Sequence, residues 1–305
     1  MTVEMIGAEV EPRLDWLALT EALAAGHGLP RAEIADTFLY RGKDTMLTRS
    51  AIIDGLGGLV KCATVFPENG AQGLPTINGA VTLYADQTGL LEAVVDFHLV
   101  TKWKTAGDSL LAARHLARPE ARKILLVGAG NVARSMVAAY DAAFPGAEFT
   151  IWNRSRPAAE AMKRDLGVTI AADLAEAVAE ADIICTCTMS TQPVIKGEWL
   201  RPGQHLDLIG AYRPDMREVD DTALERATVF VDSRATTIHH IGELKDPIAR
   251  GVISESDVQA DFYDLPAGHF RRRSAEEITI AKNGGGAHLD LMTAAYILRT
   301  ARGIG

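Results

Sequence analysis

Residues 123–133 read KILLVGAGNVA. The first five predict a short apolar strand, and the glycines that follow stand in a G-x-G-x-x-A pattern that ends at Ala133 and opens a helix. In such a turn the first glycine permits a tight backbone, the second leaves room for a pyrophosphate, and the alanine lets the helix pack closely on the strand. Free N–H groups at the helix start then bind the phosphates. We therefore predict cofactor contacts from Gly128, Gly130, Asn131 and Val132.

Strands and helices alternate beyond this turn, which predicts a parallel sheet with helices on both faces, the α/β Rossmann dinucleotide-binding fold. Upstream, two β-branched runs separated by short turns indicate an antiparallel sheet. Over the whole chain, the predicted strands are 59–66, 79–84, 123–127, 148–152, 181–186, 205–209 and 228–231, and the predicted helices are 15–25, 105–116, 132–144, 157–166, 224–226 and 288–301. We predict a Rossmann domain over 119–287 and an α+β domain built from 1–118 and 288–305.

The segment after the predicted strand 148–152 bears on which dinucleotide is bound. A carboxylate there would hydrogen-bond the ribose 2′-hydroxyl of NAD(H), but the segment reads Asn153-Arg154-Ser155-Arg156. An amide and guanidinium groups do not repel a 2′-phosphate, and an arginine can pair with it bidentately. The sequence therefore predicts NADP(H) as the preferred cofactor, with contacts from Asn153, Arg154 and Ser155. NAD(H) stays an alternative, because the two arginines would also suit a solvated surface.

The composition restricts the class of partner. The chain has 31 Lys and Arg against 40 Asp and Glu, a net charge of −9, which argues against a protein that binds nucleic acid through a basic surface. No run reaches the roughly 18 apolar residues of a membrane span, and the N-terminus lacks a targeting pattern, so we expect a cytoplasmic protein without a membrane partner. Three cysteines make no disulfide framework. No metal is predicted, because neither Cys185 with Cys187 nor His239 with His240 has partners at metal-binding spacing.

Several short motifs follow one another in order after about residue 50. They are Val60-Lys61, FPEN at 66–69, GLPT at 73–76, TKWKTA at 101–106, the glycine turn, NRS at 153–155, GAYRPDMRE at 210–218, VDS at 231–233 and EITIAKN at 277–283. In these motifs the chain resembles the ornithine cyclodeaminase and mu-crystallin family of reductases. The resemblance implies a Rossmann domain and a substrate domain made from both chain ends, with a small imino or amino acid bound between them. It also implies a homodimer formed through the sheet of the substrate domain.

The resemblance implies roles for individual residues. Lys61 matches the lysine that meets the substrate carboxylate, and Lys104 stands where most members carry Arg in a T-x-x-R-T-A pattern. Members also use an arginine upstream of the first lysine; Arg41 and Arg49 are both candidates, and we assign Arg41. For the cofactor, the remaining matches are Thr76, Thr105, Thr188 and Ile209, the last at the end of the loop 206–209. Asn283 and Gly284 match positions that border the ribose and nicotinamide, and we assign them to substrate binding.

Both lysines are also notable on physical grounds. Lys61 lies in an apolar predicted strand, so its ammonium must be paired or face a cavity, unless strand alternation turns it to solvent. Lys104 would stand at the start of the predicted helix 105–116, where the helix dipole disfavours a cation unless an anion bridges it to the N–H groups. An ammonium in place of the usual guanidinium replaces a bidentate fork by a point charge. We expect the two lysines to hold the substrate carboxylate and to act as the catalytic pair.

The family divides according to the residue in the loop after the fifth Rossmann strand. Cyclodeaminases place an acid–base aspartate there, whereas this chain has Tyr212, as in the ketimine reductases of the mu-crystallin type. A phenol has a reference pKa of ~10 and does not replace a carboxylate base near neutral pH. The resemblance therefore implies NAD(P)H-dependent reduction of a cyclic ketimine carboxylate, 1-pyrroline-2-carboxylate to L-proline or 1-piperideine-2-carboxylate to L-pipecolate. The alternatives are an amino-acid dehydrogenase of the alanine type, an ornithine cyclodeaminase and a low-turnover NADP-dependent binding protein.

Overall fold

A computed structural model describes residues 3–304 and divides the chain into two compact units. The first unit extends to Lys104 and resumes at Gly286, so it takes in both ends of the chain. The second unit is Thr105–Gly285. Each unit is built on one β-sheet, the first mostly antiparallel and the second wholly parallel within the residues described.

The first unit contains a six-stranded sheet in the order β1-β6-β5-β4-β3-β2. Its elements are β1 (Glu4–Ile6), α1 (Trp16–His27), β2 (Glu33–Arg41), β3 (Asp44–Ile53), β4 (Gly57–Val65), β5 (Ile77–Tyr84), β6 (Leu91–Asp96), the start of α2 (Phe97–Leu116) and the C-terminal helix (Ala287–Ala301), with 3-10 turns at Ala8–Arg13 and Pro67–Gln72. The C-terminal helix packs on α1, β3 and β4. Because its apolar residues are buried almost along its whole length, this helix forms the core of the unit.

Helix α2 begins at Phe97, whereas the sequence predicts a helix only from residue 105. Its first turn is capped by Asp96, whose Oδ1 accepts a backbone N–H at 2.7 Å. Lys104 therefore lies two turns inside the helix, and the prediction that it stands at a helix start is wrong. The helix dipole acts on charges within the first and last turns, so it does not affect Lys104. The boundary between the units also falls inside this helix, earlier than the sequence-based position after residue 118.

The second unit contains an eight-stranded parallel sheet in the order β13-β12-β14-β11-β10-β7-β8-β9. Its elements are β7 (Lys123–Val127), α3 (Asn131–Ala143), β8 (Glu148–Trp152), α4 (Arg156–Leu166), β9 (Thr169–Ile170), α5 (Leu174–Glu180), β10 (Ile183–Thr186), β11 (His205–Leu208), α6 (Asp221–Arg226), β12 (Thr228–Val231), α7 (Arg234–Thr237), α8 (Gly242–Ala249), β13 (Val258–Ala260) and β14 (Thr279–Lys282), with 3-10 turns at Gly197–Trp199, Glu255–Asp257 and Phe262–Asp264. This sheet confirms the predicted α/β Rossmann class.

The strand order of the second unit reverses beside β7. From β7 the chain proceeds to β8 and β9 on one side, and then returns to β10 and β11 on the other. In open parallel sheets, ligands bind at the carboxyl ends of the strands on either side of such a switch point. The loops after β7, β8, β10 and β11 are therefore the part of this unit where a dinucleotide is expected.

Two kinds of feature are absent from the part of the chain described. Within residues 3–304, no helix is both long enough and apolar enough to cross a lipid bilayer. The same residues contain no group of three or more His, Cys, Asp or Glu side chains that could hold a metal ion.

Candidate active site

The two glycines after β7 meet different physical requirements. Gly128 has φ +118°, and a Cβ on it would lie 2.7 Å from the carbonyl oxygen of Cys187 on the neighbouring strand's loop. Its backbone N–H donates to Trp152 O at 2.9 Å. Gly130 has an ordinary φ of −86°, and a Cβ there would meet no protein atom within 4 Å. Gly128 is therefore required by the fold itself, whereas the space at Gly130 is open to a ligand.

Helix α3 begins at Asn131 with its N-terminus uncapped. Gly130, in the capping position, provides no side chain, and the first turn contains no acidic residue. Ala133 is fully buried, as predicted for the position where the helix packs on the sheet. The exposed Asn131 and half-buried Val132 thus present N–H groups at a helix start that suits an anion.

The segment after β8 carries cations and no carboxylate. Asn153 donates from Nδ2 to Ser155 O at 2.9 Å, which tightens the turn into α4. Arg156 forms an ion pair with Glu160 at 3.0 Å. Arg154 is exposed, and within residues 3–304 it forms no ion pair. The start of α4 also lacks a side-chain cap and an acidic residue in its first turn, so this corner is electrically suited to a second anion.

The loops after β10 and β11 contain the predicted Thr188 and Ile209. Ile209 is half-buried, and its N–H donates to Thr186 O at 3.1 Å. Thr188 donates from its backbone N–H at 2.8 Å and from Oγ1 at 2.7 Å to one carboxylate oxygen of Glu218. Glu218 was not predicted from sequence as a site residue, although it lies in the GAYRPDMRE motif. Its carboxylate is completely buried and joins the two loops, and that burial, seen in the structure and not in the sequence, identifies it.

The end of β14 brings Asn283 and Gly284 to the same edge of the sheet. Asn283 is buried and donates from Nδ2 to Ser109 Oγ at 2.6 Å, while its Oδ1 has no hydrogen-bond partner within residues 3–304. The Gly284 N–H donates to Asp232 Oδ2 at 2.9 Å, and a Cβ there would overlap the Thr237 side chain. The structure thus places both predicted residues beside the loop after β11, with one buried amide oxygen available for a donor.

In the first unit, Lys61 of β4 is buried and paired. Its Nζ lies 2.8 Å from Asp290 Oδ1 and 2.8 Å from Thr101 Oγ1, and 4.8 Å from the centre of the Phe97 ring. Its relative exposure of 7% shows that it is not a solvent-facing lysine. An ammonium has three donors, so two are used here and one remains for a ligand. Burial lowers the pKa of the Lys61 ammonium, and Asp290 opposes that shift.

Asp290 is the candidate site residue of the first unit that sequence reasoning missed. It is the one acidic residue of the C-terminal helix and has no exposed surface. Burial opposes its ionisation, but Lys61, Lys104 and Arg49 together outweigh burial and lower its pKa. A lone carboxylate in an otherwise apolar run, Leu289-Asp290-Leu291-Met292, is the sequence signal that could have revealed it.

Lys104 and Thr105 stand side by side on α2 and both are half-buried. Lys104 forms no ion pair within the described residues, yet it is close enough to Asp290 and Lys61 to act on the pKa of each. Lys104 is therefore a cation without a dedicated carboxylate, which is what an anionic substrate requires. Thr76 lies in the exposed stretch before β5, where its carbonyl accepts the Phe66 N–H at 2.8 Å.

Arg41 and Arg49 occupy different places on the first sheet. Arg41 ends β2 at the hairpin, where its exposed guanidinium pairs with Asp44 at 2.9 Å. Arg49 is the direct cross-strand partner of Lys61, so the two side chains share one face of the sheet. Arg49 also pairs with Asp36 at 2.7 Å. The structure does not bring the assigned Arg41 to the lysines, because five residues of β3, about 17 Å, separate the hairpin from the Arg49 position.

A family model described as the ornithine cyclodeaminase/mu-crystallin family matches residues 44–304. The chain belongs to this family. The resemblance that the motifs predicted is thus confirmed.

Individual members and solved structures agree with this assignment. The Delta(1)-pyrroline-2-carboxylate reductase of Paracoccus denitrificans is 51% identical over 298 residues, which cover 95% of this chain and 94% of the relative. The structure of the Thermococcus litoralis Delta(1)-pyrroline-2-carboxylate reductase in complex with NADH and L-proline is similar with a TM-score of 0.87 at 25% identity, covering 99% of both chains. An archaeal alanine dehydrogenase dimer with bound NAD gives a TM-score of 0.88 at 28% identity, covering 99% of this chain and 97% of that one.

Tyr212 lies in the loop after β11, at the position where the family resemblance predicts an acid–base aspartate in cyclodeaminases. Its side chain is 58% exposed and lies beside Arg213, whose guanidinium carbon is 5.8 Å from the ring centre. Arg213 in turn pairs with Asp215 at 2.9 Å. The nearest carboxylate in the loop is therefore already engaged by an arginine, so the loop offers no free carboxylate base at this point.

Proposed function

We propose that this protein is an NAD(P)H-dependent reductase of cyclic ketimine carboxylates, converting 1-pyrroline-2-carboxylate to L-proline or 1-piperideine-2-carboxylate to L-pipecolate. The observation that carries the proposal is the 51% identity to a pyrroline-2-carboxylate reductase over 95% of the chain. The grouping of Lys61, Lys104 and Asp290 in the first unit supports it, because this substrate class combines a carboxylate with a ring nitrogen that becomes cationic on protonation.

We assign substrate binding in the first unit to Lys61, Lys104 and Arg49. Together with Asp290 and Asp36 these groups carry three positive and two negative charges, so one positive charge is left over for a substrate carboxylate. Arg49 replaces Arg41 in the assignment, because it shares a sheet face with Lys61. A carboxylate held by an ammonium and a guanidinium gains charge-assisted hydrogen bonds, each worth roughly 1.5–3 kcal/mol.

The reaction adds a hydride to the imine carbon and a proton to the ring nitrogen, and the C=N bond becomes a C–N bond. The hydride would come from a reduced nicotinamide, which would be oxidised in the reaction. Lys61 and Lys104 orient the ring by its carboxylate. This positioning lowers the activation barrier, because translational and rotational entropy is already lost when the substrate binds. Asn283 and Gly284 are assigned to the substrate border in the second unit.

We assign the dinucleotide to the second unit and propose that NADP(H) is preferred over NAD(H). The glycine turn with Gly128, Gly130, Asn131 and Val132 would receive the pyrophosphate, and Thr188 and Ile209 the nicotinamide end. Thr76 and Thr105 complete the set as expected from the family. Support for the 2′-phosphate comes from Arg154, which has no ion-pair partner among residues 3–304, and from the absence of a carboxylate after β8. Comparing the apparent KM for NADPH and NADH tests the preference, and a lower value for NADH would overturn it.

We also propose that the protein is a cytoplasmic homodimer. Strand β2 is exposed at every residue and lies at the edge of the first sheet, and its exposed apolar side chains include Ile34, Phe38, Leu39 and Tyr40. An exposed edge strand rich in apolar residues is a surface that another chain can cover. Light scattering checks the proposal, and a monomeric mass would contradict it. The cytoplasmic location is supported by three cysteines that are all unpaired, as is usual where thiols stay reduced.

The experiment that tests the reaction is a screen of NADPH oxidation with the purified protein. The panel contains 1-pyrroline-2-carboxylate, 1-piperideine-2-carboxylate, hydroxylated pyrroline carboxylates, and pyruvate with ammonia. We expect oxidation with a preformed cyclic imine in the absence of ammonia. The variant Lys61→Met should raise the KM or abolish turnover, whereas Lys43→Met, a change at a lysine paired with Glu68 on the surface, should leave both parameters unchanged.

An alanine-type dehydrogenase is the second candidate, favoured by the similarity to an archaeal alanine dehydrogenase at a TM-score of 0.88. Oxidation of NADPH or NADH with pyruvate plus ammonia, and none with cyclic imines, would establish that reading. Ammonia release from ornithine without net change in NADH would instead indicate a cyclodeaminase. Tight NADPH binding without oxidation by any imine would indicate a binding protein.

A further inference from the structure

A buried polar network joins the loops after β10 and β11. Its centre is Glu218, whose carboxylate has no solvent exposure. Oε1 accepts the backbone N–H and the hydroxyl of Thr188 at 2.8 and 2.7 Å, and Oε2 accepts the N–H groups of Gly210 and Ala211 at 2.8 and 3.1 Å. One carboxylate thus takes four hydrogen bonds, two from each loop. Neither loop could move relative to the other without breaking them.

Two further buried groups hold the same loops. Lys282, at the end of β14, donates from Nζ to Leu208 O at 2.6 Å and to Ala211 O at 2.8 Å, on either side of the turn after β11. Glu243 of α8 accepts the N–H of Glu218 at 2.7 Å and so fixes the backbone of the central residue. Burial raises the pKa of Glu218, and the nearby Lys282 ammonium opposes the shift. All these contacts lie within the second unit.

This buried network is an inefficient way to stabilise the fold. Buried ionic groups are commonly no more stabilising than apolar residues of the same size, because each must lose its hydration. The network also lies at the carboxyl edge of the parallel sheet, on the β10 and β11 side of the switch point, where ligands bind in this fold. The backbones approach so closely that a Cβ on Gly210 would overlap the Thr188 carbonyl. The shape of this edge is therefore set by the network rather than by packing alone.

We expect the two sides of the switch point to bind different ends of the dinucleotide. Arg154 and the glycine turn lie on the β7 and β8 side, which suits the adenosine and its phosphates. A dinucleotide that crosses the switch point then places its nicotinamide end over the loops after β10 and β11. These are the loops that the carboxylate of Glu218 ties together.

We propose that Glu218 is a positioning residue that holds the loops after β10 and β11 in the arrangement that receives the nicotinamide end of the cofactor. The inference rests on the proposed dinucleotide-binding function. It implies that loss of the carboxylate weakens the binding of the nicotinamide half and leaves the adenosine half unaffected.

The test measures two ligands against the variant Glu218→Gln. In glutamine, one acceptor oxygen becomes an NH2 donor that must face N–H or hydroxyl donors of one of the two loops. By calorimetry we expect the Kd for NADPH to rise about 10-fold, as for one lost charge-assisted hydrogen bond, and the Kd for 2′,5′-ADP to stay within about twofold. Glu277→Gln is the matched control, because Glu277 is also a largely buried glutamate but binds Thr228 and Arg273 where β12 begins, at the opposite edge of the sheet. It should change neither value.

The outcomes separate this inference from the proposed function. If Glu218→Gln binds both ligands like the wild type, or weakens both equally, the positioning role is overturned while dinucleotide binding stands. If the wild type binds NADH rather than NADPH, the cofactor preference fails, and the same comparison is made with NADH and ADP-ribose. Should Glu218→Gln not fold, Thr188→Val removes the hydroxyl donor alone. It should raise the Kd for the intact dinucleotide about threefold and not that of the adenosine fragment, and an unchanged Kd overturns the inference.

Discussion

Replacing Asp290 by Asn should strongly destabilise the first unit. The Asp290 carboxylate has no exposed surface, and the Lys61 ammonium that it meets at 2.8 Å is only 8% exposed in its side chain. The other charged groups that act on Asp290 are Lys104 and Arg49, both positive. The variant keeps the size and one acceptor oxygen of the side chain but removes the negative charge that faces Lys61, while Asp36 still pairs with Arg49.

The magnitude follows from the burial of the pair. Removing one partner of a buried ion pair leaves an uncompensated charge and costs about 3–5 kcal/mol. The retained amide oxygen and the hydrogen bond from Lys61 to Thr101 place the expected loss near the lower limit, about 3 kcal/mol at pH 7. The matched control is Asp44→Asn, because Asp44 lies in the same unit and pairs with Arg41 at 2.9 Å, but the Arg41 side chain is 79% exposed. A surface pair of this kind contributes about 0–1 kcal/mol.

The loss should also depend on pH in a defined direction. Without Asp290, burial lowers the pKa of Lys61 further below its ordinary value of 10.5. In the window between the folded-state pKa and 10.5 the unfolded chain binds more protons, so stability of the variant rises with pH. The difference in unfolding free energy between wild type and Asp290→Asn should therefore shrink as pH is raised from 7 toward 9.5, whereas the Asp44→Asn difference stays flat.

The assay is urea unfolding followed by a probe of the first unit. Trp16 and Trp103 stack with ring centres 3.8 Å apart, so their coupled circular-dichroism signal reports on that unit. The same signal keeps the measurement separate from unfolding of the parallel sheet. The reasoning is refuted if Asp290→Asn is as stable as Asp44→Asn at pH 7, or if the gap to the wild type widens with rising pH.

Three further predictions concern the second unit. The variant Gly130→Ala should fold normally, since no protein atom lies within 4 Å of the new Cβ, but it should bind the dinucleotide more weakly in calorimetry. The variant Gly128→Ala should also lower the melting temperature, because its backbone has φ +118°. Arg154→Ser should raise the KM for NADPH about 10-fold or more and leave that for NADH unchanged, as for one lost charge-assisted contact; equal effects on both would remove the 2′-phosphate role. Burial raises the pKa of Glu243 to about 7 from 4.5, so its stabilising effect is present below pH 4.5 and lost as pH rises through 7. Relative to wild type, Glu243→Gln should therefore gain up to about 3 kcal/mol between pH 5 and pH 8 in urea unfolding, and a constant difference would contradict this.

The second unit was largely predictable because its strands are short apolar runs between strong turn signals. The predicted strands 123–127, 148–152 and 228–231 have the bounds seen in the structure, since strands buried on both faces of a parallel sheet read as continuous apolar runs. The strand β14 was missed as an element. It comes last along the chain but lies between β11 and β12, and no local pattern specifies that insertion.

The first unit was less predictable because its outer strands are exposed. Strand β2 has no buried residue, so the contrast between an inner and an outer face, on which strand prediction depends, is absent from its sequence. Its partner β3 is only partly buried. The start of α2 was missed because Lys102 and Lys104, on either side of Trp103, obscure the apolar periodicity of a helix in this segment. The helix cap at Asp96 was not recognised in the sequence.

The same limit applies to the candidate site. Motifs identified Lys61, but its partner Asp290 is 229 residues away in the chain, and nothing local relates the two. Glu218 and the loop of Thr188 are likewise 30 residues apart. Long-range pairs of this kind follow from the topology, so sequence patterns alone show that a lysine in an apolar strand needs a partner without showing which one.

The pairing of Lys61 with Asp290 also bears on how such a site tolerates the proposed substrate. A protonated cyclic ketimine carries a positive ring nitrogen next to its carboxylate, and the positive charges of the site alone would attract the one group while repelling the other. Asp290 cancels one of those charges inside a buried environment, where electrostatic interactions are strong. Lys104, which has no carboxylate of its own among residues 3–304, then remains to attract the substrate carboxylate. An anionic group within the cationic site is therefore as necessary for an iminium acid as the lysines themselves, and an Asp290→Asn enzyme should lose affinity for the zwitterionic imine more than for a plain carboxylate inhibitor.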